Sequence, residues 1–255
     1  MSDSGRREAI LRKLAAMERG PQCRSFIATG FHALDSALGG GLPRGSVVEF
    51  FGPAGSGKTT LALQTIAHLQ ARGFNAAFID ADHTFDAAYA AGLGVAIERL
   101  PLVQPAFAEQ AMEIARALAA SGAVELIAID SAAALAPRLE VEADIAGVVP
   151  RLQSRVLGNE LRKLSTAIRR AEVCALFLNQ VRNRTDRGAG EAESSAGGPP
   201  LKLYAAARVA MLPSGGGKLR LRVLKNNVAE SAAGCELEWR RGEGFLADDA
   251  PDALK

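Results

Sequence analysis

"VVEFFGPAGSGKTT", Val47 to Thr60, decides how the rest of the chain is read. The apolar run Val47–Phe51 is a strand signal, and the turn after it carries GxxxxGK[ST] from Gly52 to Thr59. Glycines at 52, 55 and 57 let the backbone bend, so that the N–H groups of Gly52, Pro53's neighbours Ala54 and Gly55, Ser56 and Gly57 can approach phosphate oxygens. Lys58 offers a positive charge to the terminal phosphates, and the Thr59 hydroxyl, followed by Thr60, is a ligand type suited to Mg2+. A helical pattern over Lys58–Ala71 gives the motif its required strand–loop–helix setting. The fingerprint names a ligand and leaves the task open.

Downstream, strands and helices alternate as in a parallel sheet. "NAAFID", "VELIAID" and "VCALFLNQ" read as strands, with helices over Phe107–Ala120 and about Leu152–Arg170. Right-handed crossovers bring the strand ends beside the glycine loop. Three later runs, "AAARVAML", "KLRLRVLK" and "CELEWRR", suggest an antiparallel extension of the sheet. The fold class is therefore α/β: a P-loop NTPase core with a mostly parallel central sheet flanked by helices. A short amphipathic helix is expected over Arg6–Glu18, from the spacing of Ile10, Leu14 and Met17. The organisation reads as a helix and linker over 1–24, a core over 25–245 and a tail over 246–255.

Composition narrows the options. A net charge of +2 on 255 residues does not announce a nucleic-acid binder, so any such surface must be a local patch. Cys23, Cys174 and Cys235 are too far apart for a zinc site or a disulfide framework and fit a reducing cytosol. No apolar run approaches the roughly 18 residues of a membrane span. The start of the chain lacks the apolar stretch of a signal peptide. A cytoplasmic location is expected.

Two stretches break the rhythm. Leu139–Arg151 mixes carboxylates with Gly and Pro, and Arg182–Pro200 is long, polar and glycine-rich, a length usual for functional or disordered loops. At the sheet edge, "LIAID" delivers Asp130, placed to hold magnesium beside a P-loop. "AAFIDADH" delivers Asp80, Asp82 and His83. A carboxylate there can polarise an attacking water. For Asp80 and His83, local hydrogen bonding at a strand end is the preferred reading.

Taken together, "IATGFHALDSALGGGLPRGSVVEFFGPAGSGKTT", "AAFIDADHTFDAAYAAGLGV", "LIAIDSAAALAP", "LFLNQVR", "SSAGGPPLKLYAAARV", "VLKNNVA" and "GEGF" resemble the bacterial RecA recombinase family, in order and over roughly Thr29 to Phe245. The resemblance implies the RecA ATPase core, with ATP and Mg2+ held by Gly52 to Thr60 and Asp130. It makes Tyr89 the ring that stacks on adenine and Asp86 the acid near the adenine edge. Gln180 becomes the sensor of the terminal phosphate, acting by a population shift on the loop that follows. It further implies single-stranded DNA contacts from a first loop, Ala143–Arg151, and from a second, Arg182–Pro200. Arg151 belongs with the first, Arg155 and Arg162 lie seven apart on the intervening helix, and Arg182, Arg184, Arg187, Gly197 and Gly198 belong with the second. Basic side chains there suit phosphate contacts.

Departures from the family pattern qualify this. RecA proteins carry glutamate where this chain has Asp82, whose carboxylate reaches about one C–C bond less far. Misplacement by about 1 Å can lower a rate on the order of a hundredfold. Lys225 matches one of two lysines that reach a neighbouring subunit's nucleotide, and Asn227 replaces the other. Thr185 and Ala189 stand where bulky apolar wedges are expected, and the chain ends ten residues after Phe245, without the family's carboxy-terminal domain. The leading expectation is a DNA-dependent ATPase of recombination, repair or the DNA-damage response, self-associating as a filament or smaller oligomer. The alternative is an ATP-binding accessory paralogue that hydrolyses little and works through a protein partner, as in mutagenic-polymerase assemblies.

Overall fold

The computed structural model describes residues 25–142, 152–181, 195–196, 198–230 and 232–247. The expected amino-terminal helix, Cys23 and most of the two interrupting loops lie outside them. The core is one nine-stranded sheet. Its strands are β3 (Val47–Gly52), β4 (Ala76–Asp80), β5 (Leu102–Val103), β6 (Leu126–Asp130), β7 (Cys174–Gln180), β8 (Ala205–Gly215), β9 (Lys218–Asn226), β10 (Gly234–Arg240) and β11 (Gly244–Phe245). A small separate ladder pairs β1 (Phe26–Ile27) with β2 (Leu42–Pro43). The order across the large sheet is β11-β10-β9-β8-β3-β7-β6-β4-β5. Strands β8, β3, β7, β6, β4 and β5 are parallel, and β9, β10 and β11 continue antiparallel.

The expected mostly parallel sheet with an antiparallel extension is what the chain forms. Its extension begins one strand later than the sequence suggested, because β8 lies parallel to β3. The long return through 181–204 supplies the crossover that a parallel pairing needs. Both faces of the sheet are covered, which is why β3, β4 and β6 are buried at every position.

Strand residues alternate between two apolar layers. Val48, Phe50, Phe78, Leu176 and Leu178 pack with Leu61, Ile66 and Leu69 of the helix Lys58–Ala71. Ile79, Ile129 and Phe177 pack with Met112 and Ala115 of Ala108–Ser121 and with Leu157, Leu161 and Leu164 of Leu152–Ala171. The latter two helices are also joined by Glu160, which accepts from Arg116 and Lys163. Among the described residues, no helix is long and apolar enough to cross a membrane.

A charge pair interrupts this apolar interior. Glu49, in the middle of β3, is fully buried and faces Arg208 of β8, its register partner. Arg208 donates through Nε to Glu49 Oε2, and its guanidinium lies 4.6 Å from the centroid of the Phe51 ring. Removing one member of a buried pair strands the other charge, at about 3–5 kcal/mol, whereas replacing both by apolar groups of similar volume is often neutral. Arg208→Met alone should therefore lower the unfolding free energy by about 3–5 kcal/mol, and adding Glu49→Met should restore most of it. Urea unfolding of the two variants checks this; equal losses for both would contradict it.

Candidate functional site

The cradle forms because β3 runs straight into the glycine loop and the loop into a helix. Gly57, the residue before that helix, has φ 81°, and Gly55 has φ 73°, a region that glycine enters without strain. A side chain at Gly52 would meet the Met211 carbonyl and Ser56 Oγ, and one at Gly57 would meet the Phe245 ring. The loop is thus pressed between β8 and the "GEGF" segment. Gln64 fixes that segment to the helix, since its amide donates to Phe245 O at 2.8 Å and accepts from Phe245 N at 2.9 Å. Nothing in the periodicity of the sequence singled out Gln64.

Lys58 is buried and directs its ammonium at loop oxygens: Gly52 O at 3.1 Å, Pro53 O at 2.7 Å and Ser56 Oγ at 3.3 Å. Burial lowers its pKa, against the opposing pull of Asp130 and Asp82. Thr59 Oγ1 donates to Asp130 Oδ2 at 2.6 Å. These two hard oxygens, one at the first turn of the helix and one at the end of β6, are the donor type that Mg2+ takes. The residues present fit a magnesium–nucleotide: Thr59 and Asp130 would hold the ion and the loop N–H groups the phosphates. Mg2+ bound there would neutralise charge on the phosphoryl groups.

Three carboxylates meet at this edge, because Asp80 and Asp130 are register partners and Asp82 follows two residues later. Burial pushes the Asp130 carboxyl up to about 6; the Thr59 hydroxyl opposes this, Asp82 and Asp80 reinforce it, and Lys58 counters it. Asp80 is wholly taken up locally, accepting from Thr84 N, Phe85 N and Gln104 Nε2. His83 lies against the Pro105 carbonyl at 3.2 Å. Asp82 Oδ1 accepts from Ser131 Oγ at 3.2 Å, beside Asp130.

Beyond the cradle, Tyr89 OH meets Thr60 Oγ1 at 2.7 Å while the ring stays 43% exposed, and Asp86 caps the helix Ala87–Gly92 by accepting from Tyr89 N. Thr59, Asp86, Tyr89 and Asp130 line one cleft. Gln180 is exposed at the end of β7, paired in register with Gly52. A second groove, on the other flank of the loop, is lined by Gly55, Gly57, Lys218, Phe245 and Trp239, the single tryptophan of the chain.

Lys225 stands apart from its own cradle. Its ammonium donates to Lys202 O at 3.0 Å and Leu203 O at 3.1 Å, carbonyls in the last turn of the short helix Pro199–Tyr204. Burial lowers its pKa, helped by Arg208 and Lys202. Arg155 and Arg162 are both exposed on Leu152–Ala171. Gly198, at φ 78°, lies against Ser154 at the start of that helix, where a Cβ would come within 2.9 Å of Ser154 Oγ. Arg151, Arg182, Arg184, Arg187 and Gly197 lie outside the described residues.

The sheet and loop define a P-loop ATPase core. The family model described as the RecA N-terminal domain matches residues 7–245. Protein RecA of Listeria welshimeri is 46% identical over 238 residues, spanning 89% of this chain and 68% of that protein. Protein RecA of Bacillus velezensis is 45% identical over 231 residues, covering 87% and 67%. Among solved structures, the RadB recombinase shares the fold with a TM-score of 0.67, over 88% of this chain and all of that one, at 20% identity. The chain belongs to the RecA family, a family of ATPases acting in recombination and repair.

The raised pKa of Asp130 has a consequence for stability. A carboxyl whose pKa is higher folded than unfolded destabilises the fold once it ionises, over the window from its ordinary 3.8 to about 6 and above. In the nucleotide-free protein, Asp130→Asn should raise the thermal midpoint at pH 7.5, and the gain should vanish toward pH 4. Melting curves at both pH values test it; a loss of stability at pH 7.5 would contradict it.

Proposed function

We propose that this chain is an ATP- and Mg2+-binding motor core that engages single-stranded DNA and hydrolyses ATP slowly. The observation that carries the reading is the adjacency of Gly52 and Gln180 in neighbouring parallel strands. The phosphate cradle and the strand end that leads into the arginine-bearing segment 182–194 are therefore in direct register. Val181 N donates to Gly52 O at 3.3 Å, and Ala196 N donates to Gln180 O at 2.9 Å.

In this reading the loop N–H groups and Lys58 bind the phosphates, with the ammonium exchanging loop oxygens for phosphoryl oxygens. Thr59 and Asp130 hold the ion, and the exposed Tyr89 ring, with Asp86 beside it, receives the adenine. Asp82 orients the attacking water and accepts its proton. Its bond to Ser131 and its short reach keep turnover slow. Gln180 contacts the terminal phosphoryl group and biases the second loop. Arg151, Arg155 and Arg162, then Arg182, Arg184 and Arg187, with Gly197 and Gly198 allowing close approach, meet the DNA backbone. Lys225 serves a neighbouring copy's nucleotide in a filament or smaller assembly.

One observation favours a second reading, an ATP-binding subunit acting through a protein partner. Lys225 is engaged by its own chain, and Asn227 offers no second charge for a neighbour's nucleotide. Steady-state ATPase with and without oligo-dT separates the two readings. The motor reading expects stimulation by DNA, and a DNA affinity falling steeply with salt, by a log–log slope of about 0.7 per phosphate contact. ATP binding without any response to DNA would leave the accessory reading standing. Asp82→Glu should raise turnover by about tenfold or more. An unchanged or lower rate would show that the shorter carboxylate is not what limits hydrolysis.

A further inference from the structure

Asn179 is fully buried, one residue before Gln180, and its amide meets three different segments. Nδ2 donates to Glu49 Oε1 at 2.8 Å and to Ala196 O at 2.9 Å, while Oδ1 accepts from the N–H of Gln180 at 2.9 Å. Ala196 returns a bond, its N–H donating to Gln180 O. Val181 and Ser195 form an antiparallel bridge, and Arg208 Nη2 reaches Ser195 Oγ at 3.4 Å. Both ends of the segment 182–194 are thus fastened to one buried polar cluster. Its foundation is the Glu49–Arg208 pair, three residues before Gly52.

Buried hydrogen-bonding groups have no water to replace a lost partner, so such a cluster resists partial rupture. When the backbone at Gln180 shifts, Asn179 must carry Ala196 with it or leave two polar groups unsatisfied. The amide also satisfies Glu49 Oε1, a structural role; what sets it apart is that its other two bonds fall on Gln180 N and Ala196 O, at the two ends of the segment 182–194. We infer that Asn179, held by Glu49 and Arg208, is a positioning residue that couples the nucleotide state at Gln180 to the Ser195–Ala196 root of the second loop. The inference rests on the proposed reading of Gln180 as a phosphate sensor.

Trypsin supplies a readout that needs no DNA, since it cuts after Arg182, Arg184 and Arg187, and the fragments are resolved by mass. The quantity measured is the ratio of cleavage rates in Mg·ADP and Mg·ATPγS. The wild-type chain should show a ratio of about tenfold, in the range of ordinary allosteric couplings. Asn179→Ala should bring it below about twofold, while the Kd of a fluorescent ATP analogue stays within about threefold. Asn179→Ser, which keeps one donor in a small side chain, replaces the alanine variant if the latter does not fold, and should at least halve the ratio. A wild-type ratio in either folded variant overturns the inference while leaving the sensor reading intact. A wild-type chain with equal rates in the two nucleotides overturns the sensor reading, and the inference with it.

Discussion

A carboxylate and a guanidinium buried in the middle of a sheet must find each other, and Glu49 and Arg208 do so across neighbouring parallel strands. Burial makes the pair demanding, because each charge lost from water needs geometry good enough to compensate. Phe51 covers the guanidinium, and Asn179 takes the second carboxylate oxygen. The pair thereby fixes β3 against both β7 and β8. Those strands carry, at their ends, the glycine loop, Gln180 and the packing surface of Gly52. The site is positioned by this interior before any ligand arrives.

At the sheet edge, carboxylates gather at the end of the parallel strands, beside the glycine loop. Asp80, Asp82 and Asp130 crowd one rim, and the Asp130 carboxyl is raised by burial and by its neighbours. A cation bound there would relieve that crowding directly. Catalysis asks for more, namely a carboxylate at a defined distance from an attacking water. On the proposed reading, Asp82, one methylene shorter than a glutamate and bonded to Ser131, is the group that would have to meet this demand.

Much of this was legible in the residues because local patterns dominate there. The helix Lys58–Ala71 was bounded correctly by its glycine start and apolar spacing, and the parallel strands announced themselves as apolar runs between turn signals. "GSGKT" and the aspartate closing "LIAID" lie in contexts that periodicity can read. Other features are set by tertiary register and carry no local signature. The parallel placement of β8, the Gln64 clamp on Phe245 and the helix-capping use of Lys225 all depend on partners many residues away. One signal stood in plain view: a glutamate inside "VVEFF", with an arginine inside "AAARV", is a charge pair that buried strands tolerate only together.

The central claim is that the state of the bound nucleotide reaches the second loop through the strand end at Gln180 and the bonds behind it. Amide hydrogen exchange in Mg·ATPγS and in Mg·ADP measures this at the bonds themselves. The Val181 and Ala196 amides, which donate to Gly52 O and Gln180 O, should exchange more than about tenfold more slowly with ATPγS. Protection confined to residues 52–60, with Val181 and Ala196 indifferent to the nucleotide, would contradict it.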